Sequence, residues 1–99
     1  MAVRRMRPMS WQTRSMSEPT LLVADDHPLF RAAVLHVLRE RLPQYRTLEA
    51  ASAATLGQAL QEHPEVELVL LDLSMPGTRG FSALLHVRGE YPEVPVVII

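Results

Sequence analysis

The stretch from Leu68 to Gly77, LVLLDLSMPG, constrains the fold of this chain more than any other feature of the sequence. An apolar run without polar alternation is what a parallel β-strand needs when both of its faces are covered. Asp72 interrupts the run, and an ionised carboxylate there needs a cation or hydrogen-bond donors, because leaving it unpaired away from water is costly. Pro76 and Gly77 favour a turn directly afterwards. The pattern therefore predicts a buried strand that ends with an acid in a crevice beside a loop.

A second strand with acids at its end comes earlier in the chain. Residues 21–24, LLVA, form a short apolar stretch that is followed at once by Asp25 and Asp26. His27 comes next, and Pro28 suits the first turn of a helix. A strand, acids and then a helix are typical of the start of a βαβ unit.

Strands and helices alternate along the rest of the chain. Apolar residues that recur every three or four positions predict three helices, over 29–41, 53–63 and 80–90. Apolar stretches predict two further strands, over 45–50 and 94–99. This alternation indicates an α/β domain with a parallel sheet and right-handed crossovers. On the first helix we expect the inner face to carry five apolar side chains, Phe30, Ala33, Val34, Val37 and Leu38.

Parallel sheets bind ligands beyond the carboxyl ends of their strands, so Asp25, Asp26 and Asp72 converge if their two strands are neighbours. Two carboxylates ~4 Å apart repel by roughly 4 kcal/mol at an effective dielectric constant of ~20. Such a cluster calls for a divalent cation, and a small set of oxygen ligands without Cys or His favours Mg²⁺. A carboxylate beside Mg²⁺ can attack a phosphoryl group, which makes phosphate chemistry the function that the residues favour.

Two motifs carry a resemblance to a known family. The sequences ADDHPLFR, residues 24–31, and LDLSMPG, residues 71–77, resemble the receiver domain of two-component response regulators, particularly the NarL/LuxR type. The resemblance implies a flavodoxin-like (CheY-like) doubly wound parallel sheet over residues 20–99. It implies the strand order 2-1-3-4, incomplete because the fifth strand and the last helices are missing.

The resemblance also implies roles for individual residues. Asp72 is expected to be the phosphoacceptor that takes a phosphoryl group from a sensor histidine kinase. Mg²⁺ is expected to bind Asp25, Asp26, Asp72 and the main-chain carbonyl of Ser74, with no metal role for His27. The implied protein is a cytoplasmic domain for signalling and transcription regulation rather than an enzyme. It would contact DNA only through an output domain that this chain lacks.

The chain departs from the family pattern at two places. The family has a Ser or Thr directly after the fourth strand and a Lys at the end of the fifth, and both contact the phosphoryl group. This chain stops at Ile99, and all ten of its basic residues are arginine. We therefore expect phosphorylation that is slow or weakly coupled to a switch. We also expect homo-oligomers that form through the exposed edge of the fourth strand.

Other interpretations of the same residues stay open. The chain could be an interaction fragment that pairs with intact receivers without phosphotransfer. It could also be a Mg²⁺-dependent aspartyl phosphatase, although such enzymes use Asp-x-Asp and here the two acids are adjacent. A nucleotide-binding module has less support, because neither G-x-G-x-x-G nor a Walker loop occurs. Taken singly, Asp25 and Asp26 could be helix-start acids and Asp72 a turn-initiating residue.

Residues 1–19 are interpreted as a flexible basic leader, with an arm that contacts nucleic acid or an acidic partner as the alternative. The leader has no apolar core of a secretory signal. The chain contains no cysteine, which fits a reducing compartment, and no apolar segment approaches the length of a membrane span. Three histidines are expected at the surface or the edge of the core, His36, His63 and His86.

Overall fold

The computed structural model describes residues 18–75 and 81–99 of the 99-residue chain. The predicted alternation of strands and helices is confirmed over these residues. The strands are β1 (Thr20–Ala24), β2 (Arg46–Ala50), β3 (Val66–Leu71) and β4 (Val96–Ile98). The helices are α1 (Pro28–Arg41), α2 (Ala53–Glu62) and α3 (Ser82–Glu90). The leader up to residue 17 and the turn predicted at Pro76 and Gly77 lie outside the described residues.

The four strands form one parallel sheet in the order β2-β1-β3-β4, as the family resemblance implies. β1 lies in the middle, and Leu22 is opposite Leu48 of β2 on one side and Val69 of β3 on the other. All five residues of β1 are buried. β1 is therefore covered on both faces. In β3 the predicted burial holds only in part, because Val69 and Leu71 are buried whereas Leu68 and Leu70 are half-buried.

The main core lies where α2 and α3 meet one face of the sheet. Leu22, Val69 and Leu71 supply the strand side of this core. The helices contribute four buried side chains, Leu56 and Leu60 from α2 and Ala83 and Val87 from α3. Burying a leucine or valine fully contributes about 1.5–3 kcal/mol, so this face supplies much of the free energy that holds the strand ends in place.

Helix α1 packs against β1 and β2, and its inner face differs from the prediction. Leu35 is the buried residue of this helix, whereas Phe30 and Val37 are 49% and 54% exposed. Ala33 is also exposed, and the other two predicted inner residues, Val34 and Leu38, are only half-buried. The predicted inner face is therefore wrong in part. Because α1 contacts mainly two strands, a narrow stripe around Leu35 makes the contact and the flanking apolar side chains stay in water.

Helix α2 begins with a reciprocal cap. The Thr55 amide donates to Ser52 Oγ at 3.2 Å, and the Ser52 amide donates to Thr55 Oγ1 at 3.0 Å. A cap of this kind contributes about 1 kcal/mol. The cap starts the helix within three residues of the end of β2.

β4 is the edge strand of the described sheet and is shorter than predicted. The Val94 amide donates to the Tyr91 carbonyl in a turn, and Pro95 has no amide to donate, so the strand begins at Val96. Val97 and Ile98 are 47% and 45% exposed. The expectation of an exposed apolar edge is confirmed. Within the described ranges, no helix combines the length and the apolar character that crossing a membrane requires.

Candidate functional site

Two strand ends bring the predicted acids together. Ala24 at the end of β1 lies opposite Leu71 at the end of β3. The pairing continues one residue beyond the strands, because the Asp72 amide donates to the Ala24 carbonyl at 2.9 Å. On the other side of β1, the Asp25 amide donates to the Ala50 carbonyl at 2.9 Å. The main chain therefore fixes Asp25 and Asp72 at the same end of the sheet.

The side chains after β1 and β3 form a cluster of three carboxylates and one imidazole, which we call the acidic cluster. The cluster consists of Asp25, Asp26, His27 and Asp72. Each residue contributes one possible ligand atom, and these four atoms all lie within 4.8 Å of one another. His27 Nδ1 lies in the middle of the carboxylates. It is 2.7, 3.1 and 3.2 Å from Asp25 Oδ1, Asp26 Oδ1 and Asp72 Oδ2 respectively. From the family resemblance we expected no metal role for His27, although its place directly after two acids was a signal.

Two oxygens of the acidic cluster are buried without a hydrogen bond from any described residue, Asp25 Oδ2 and Asp26 Oδ1. The Asp25 side chain is completely buried. Its other oxygen, Oδ1, accepts a hydrogen bond from the His27 amide at 2.8 Å. A buried carboxylate oxygen without a donor is costly unless a cation neutralises it. The donor set of oxygens therefore fits a divalent cation such as Mg²⁺.

Asp72 is oriented by Ser74, two residues further along the chain. The Ser74 amide donates to Asp72 Oδ1 at 3.0 Å, and the Ser74 hydroxyl lies 2.9 and 3.0 Å from Oδ1 and Oδ2. The hydrogen bond from this amide lowers the pKa of the Asp72 carboxyl, the Ser74 hydroxyl lowers it further, and burial opposes both. Asp72 is therefore an ionised carboxylate at neutral pH. The metal-binding role of the Ser74 carbonyl stays a prediction, whereas the two donors of Ser74 were missed.

The charge of the acidic cluster also acts on His27. A hydrogen bond with Asp25 raises the pKa of the imidazole, and the negative charge of Asp26 raises it further. The side chain remains 61% exposed. A protonated His27 can thus offset part of the negative charge when no metal is bound.

Arg31 on α1 holds the loop that carries the first two acids. Its guanidinium donates to the Asp25 main-chain carbonyl at 2.6 Å and to Glu49 Oε1 at 2.8 Å. These bonds connect α1, the β1 end and β2. The sequence indicates no such role for Arg31 beyond its place in the motif of residues 24–31, because its contacts depend on how α1 lies against the sheet.

Comparison with known proteins agrees with this architecture. The family model described as the response regulator receiver domain matches residues 21–99. The glycerol metabolism activator of Pseudomonas putida is 40% identical over 79 residues, which cover 80% of this chain and 36% of that protein. The nitrate/nitrite response regulator protein NarL of Escherichia coli K12 is 37% identical over 85 residues, covering 85% of this chain and 39% of that protein.

Solved structures give the same result for the fold. A two-component response regulator of the LuxR family from an Aurantimonas species is 30% identical with a TM-score of 0.71, over 83% of this chain and 58% of that chain. A response regulator receiver protein from Pseudomonas putida has a TM-score of 0.73 at 23% identity, over 84% of this chain and 68% of that chain, and supports the fold alone. The chain thus spans well under half the length of the two curated relatives named above.

Proposed function

The chain belongs to the response regulator receiver domain family, and from that premise we propose that Asp72 is its phosphoacceptor. The donor would be the phosphohistidine of a sensor histidine kinase. The observation that supports this role most is the convergence of three carboxylates at one end of the sheet, with buried oxygens that have no donor among the described residues. Asp72 lies at the rim of this cluster and its side chain is 15% exposed, so an incoming phosphoryl group can reach it.

The residues around Asp72 favour its attack on phosphorus. Ser74 holds the carboxylate in one orientation and lowers its pKa, so no separate base is needed to ionise it. In the proposed step, a new bond forms between an Asp72 oxygen and phosphorus. The bond from phosphorus to the kinase imidazole breaks, and its electron pair leaves with that nitrogen.

We propose that Asp25, Asp26 and Asp72 hold Mg²⁺, together with the main-chain carbonyl of Ser74. Bound Mg²⁺ supplies positive charge that neutralises the oxygens of the phosphoryl group. Asp25 is completely buried, and its loop is tied to Arg31, so this ligand is fixed before any metal arrives. Because Asp25 is already held in place, binding an ion there costs little conformational free energy, which supports this position for the ion.

The proposal extends to the larger protein of which receivers are usually part. The two named relatives are regulators whose lengths exceed the matched segment. We propose that phosphorylation of this receiver controls a DNA-binding output domain, as the family resemblance implies. This chain would then contact a kinase itself and DNA only through that domain.

The test is phosphorylation of the 99-residue chain by acetyl phosphate in the presence of Mg²⁺. We expect an acid-stable, base-labile phosphate that is lost in Asp72→Asn and kept in Glu93→Gln, a control that removes an exposed carboxylate near β4. Metal binding without any label would contradict the phosphoacceptor role and favour the interaction fragment. Multiple-turnover hydrolysis of many phosphoesters would favour the phosphatase instead.

We also propose that copies of this chain associate through β4. Its outer edge is unpaired within the described sheet, and Val97 and Ile98 are about half exposed. Such an edge is a template for pairing with another strand. In sedimentation experiments we expect dimers or larger species that Val97→Lys converts to monomers. Val37→Lys is the matched control, since Val37 is similarly exposed on α1, and a monomer over a wide concentration range would contradict the proposal.

A further inference from the structure

His27 places a nitrogen donor among the three carboxylates of the acidic cluster. We infer that His27 Nδ1 is a further metal ligand of this site, and that it shifts the preference of the site from Mg²⁺ towards first-row transition ions such as Mn²⁺. The inference rests on the proposed function, because it assumes that the acidic cluster binds a divalent cation.

The spacing of the donor atoms is that of ligands around one ion. Metal-ligand bonds of about 2.1 Å put neighbouring ligands of an octahedral ion about 3.0 Å apart. His27 Nδ1 is 2.7, 3.1 and 3.2 Å from one oxygen of each carboxylate, and the four donors all lie within 4.8 Å of one another. An ion can therefore replace the proton shared by His27 and Asp25 with small movements of the side chains.

The buried carboxylate of Asp25 points independently to a ligand at this position. Asp25 is completely buried, and no described residue donates to its Oδ2. Its Oδ1 is already engaged by the amide and the ring of His27. Because protonated His27 offers only one N–H at Nδ1, it cannot satisfy all three carboxylates, whereas a divalent ion in contact with all of them can.

The backbone of His27 is fixed, so its side chain starts from a defined place beside the carboxylates. His27 is the residue immediately before α1, and its carbonyl accepts the first helical hydrogen bond, from the Arg31 amide at 2.8 Å. Its own amide is held by Asp25. The ring makes no cap for the helix and is 61% exposed, which leaves it free to move by the small amount that coordination requires.

The nitrogen donor has a predictable effect on metal choice. Mg²⁺ prefers oxygen ligands and keeps several waters, whereas imidazole binds Mn²⁺ and the later first-row ions more strongly. Three carboxylates alone would serve Mg²⁺. With His27 added, we expect the site to bind Mn²⁺ more tightly than Mg²⁺ by a margin that depends on this one side chain.

The test combines calorimetry with pulsed EPR on the whole chain. We expect bound Mn²⁺ to show nitrogen coupling whose frequency changes when all histidines are labelled with ¹⁵N. His27→Ala should abolish this coupling and weaken Mn²⁺ binding at least about tenfold. It should leave the Kd for Mg²⁺ within about twofold, since Mg²⁺ relies on the oxygens. His86→Ala is the control, because His86 is an exposed residue of α3, and it should change neither quantity.

The possible outcomes separate this inference from the proposed function. Bound Mn²⁺ without histidine coupling in the unsubstituted chain overturns the inference and leaves the phosphoacceptor role intact. Failure of both ions to bind overturns the metal site of the proposed function as well. The coupling is measured on the unsubstituted chain, so the result does not depend on whether His27→Ala folds.

Discussion

Each end of the sheet carries a histidine beside one or more carboxylates, and the charges at the two ends are balanced differently. At the carboxyl end, His27 faces three carboxylates. At the amino end, Glu65 is a single carboxylate that lies beside a histidine and an arginine. His63 Nδ1 is 3.0 Å from Glu65 Oε2, and the Arg46 guanidinium is 3.6 Å from the same oxygen. We call this second group the Glu65 cluster.

The candidate site and the Glu65 cluster contain similar residue types but differ in how their charges are balanced. Burial opposes ionisation of Glu65, but its own main-chain amide lowers its pKa, and His63 and Arg46 lower it further. Asp25 is buried more deeply and keeps an oxygen without a donor among the described residues. The Glu65 cluster is complete as it stands, whereas the acidic cluster has an excess of negative charge that only an additional cation removes.

The largest expected difference between the two ends is their response to Mg²⁺. A ligand at a hundred times its Kd stabilises a folded protein by about 2.7 kcal/mol. We expect Asp26→Asn to lose most of this stabilisation because it removes a proposed ligand, and Glu65→Gln to keep it. The measurement is denaturant unfolding with and without Mg²⁺. Equal responses of the two variants would show that the ion binds elsewhere.

The next effect is the loss of the Glu65 carboxylate in the absence of metal. Glu65→Gln should lower the free energy of unfolding by about 1 kcal/mol, because the charged hydrogen bond with His63 is lost while water partly screens Arg46. Urea unfolding in the presence of a chelator measures this. A variant as stable as the unsubstituted chain would mean that the Glu65 cluster contributes nothing.

At the carboxyl end of the sheet we expect a smaller change in the free energy of unfolding, and of opposite sign. Without metal, Asp26→Asn should raise the free energy of unfolding by about 0.5–1 kcal/mol, since it removes one of three neighbouring negative charges. Glu93→Gln removes an exposed carboxylate away from the cluster and should change stability less. Destabilisation by Asp26→Asn under these conditions would contradict the idea that the acidic cluster is strained by its own charge.

The smallest effects are those of pH, and they run in opposite directions. The pKa of Glu65 is lower in the folded protein than its usual 4.5, so its contribution is present above about pH 4.5 and is lost as pH falls through the folded value. The pKa of His27 is raised from 6.5, so its contribution is present below about pH 6.5 and is lost as pH rises through the folded value. The measurement is the free energy of unfolding as a function of pH in the presence of a chelator. Glu65→Gln should remove the pH dependence in the acidic range, and His27→Ala should remove the pH dependence near neutrality. A slope that survives its own variant would belong to another group.

The sequence predicts the convergence of the acids because it depends on topology alone. Once alternating strands and helices indicate a parallel sheet, the carboxyl ends of β1 and β3 must lie at one edge, and Asp25 and Asp72 go with them. The family resemblance adds that these strands are neighbours. No side-chain conformation enters that inference.

The details that the sequence missed depend on side-chain conformation or on the extent of a contact. The position of His27 among the acids follows from the direction in which its ring points after β1. The Ser74 donors follow from a local turn around Asp72. On α1, periodicity indicated an apolar side but not how much of it the sheet would cover, so Phe30 and Val37 were placed inside.

The central position of β1 has a consequence for how the chain acquires its structure. β1 precedes both of its partners in the sequence. Its pairing with β2 closes a loop that contains one helix, and its pairing with β3 closes a loop that contains two. During synthesis, its apolar side chains therefore emerge from the ribosome before any partner strand exists to cover them. Non-local pairing of this kind slows folding and prolongs the exposure of apolar surface that can aggregate. Among the described strands, we expect β1 to wait longest for its partners while the polypeptide is still growing.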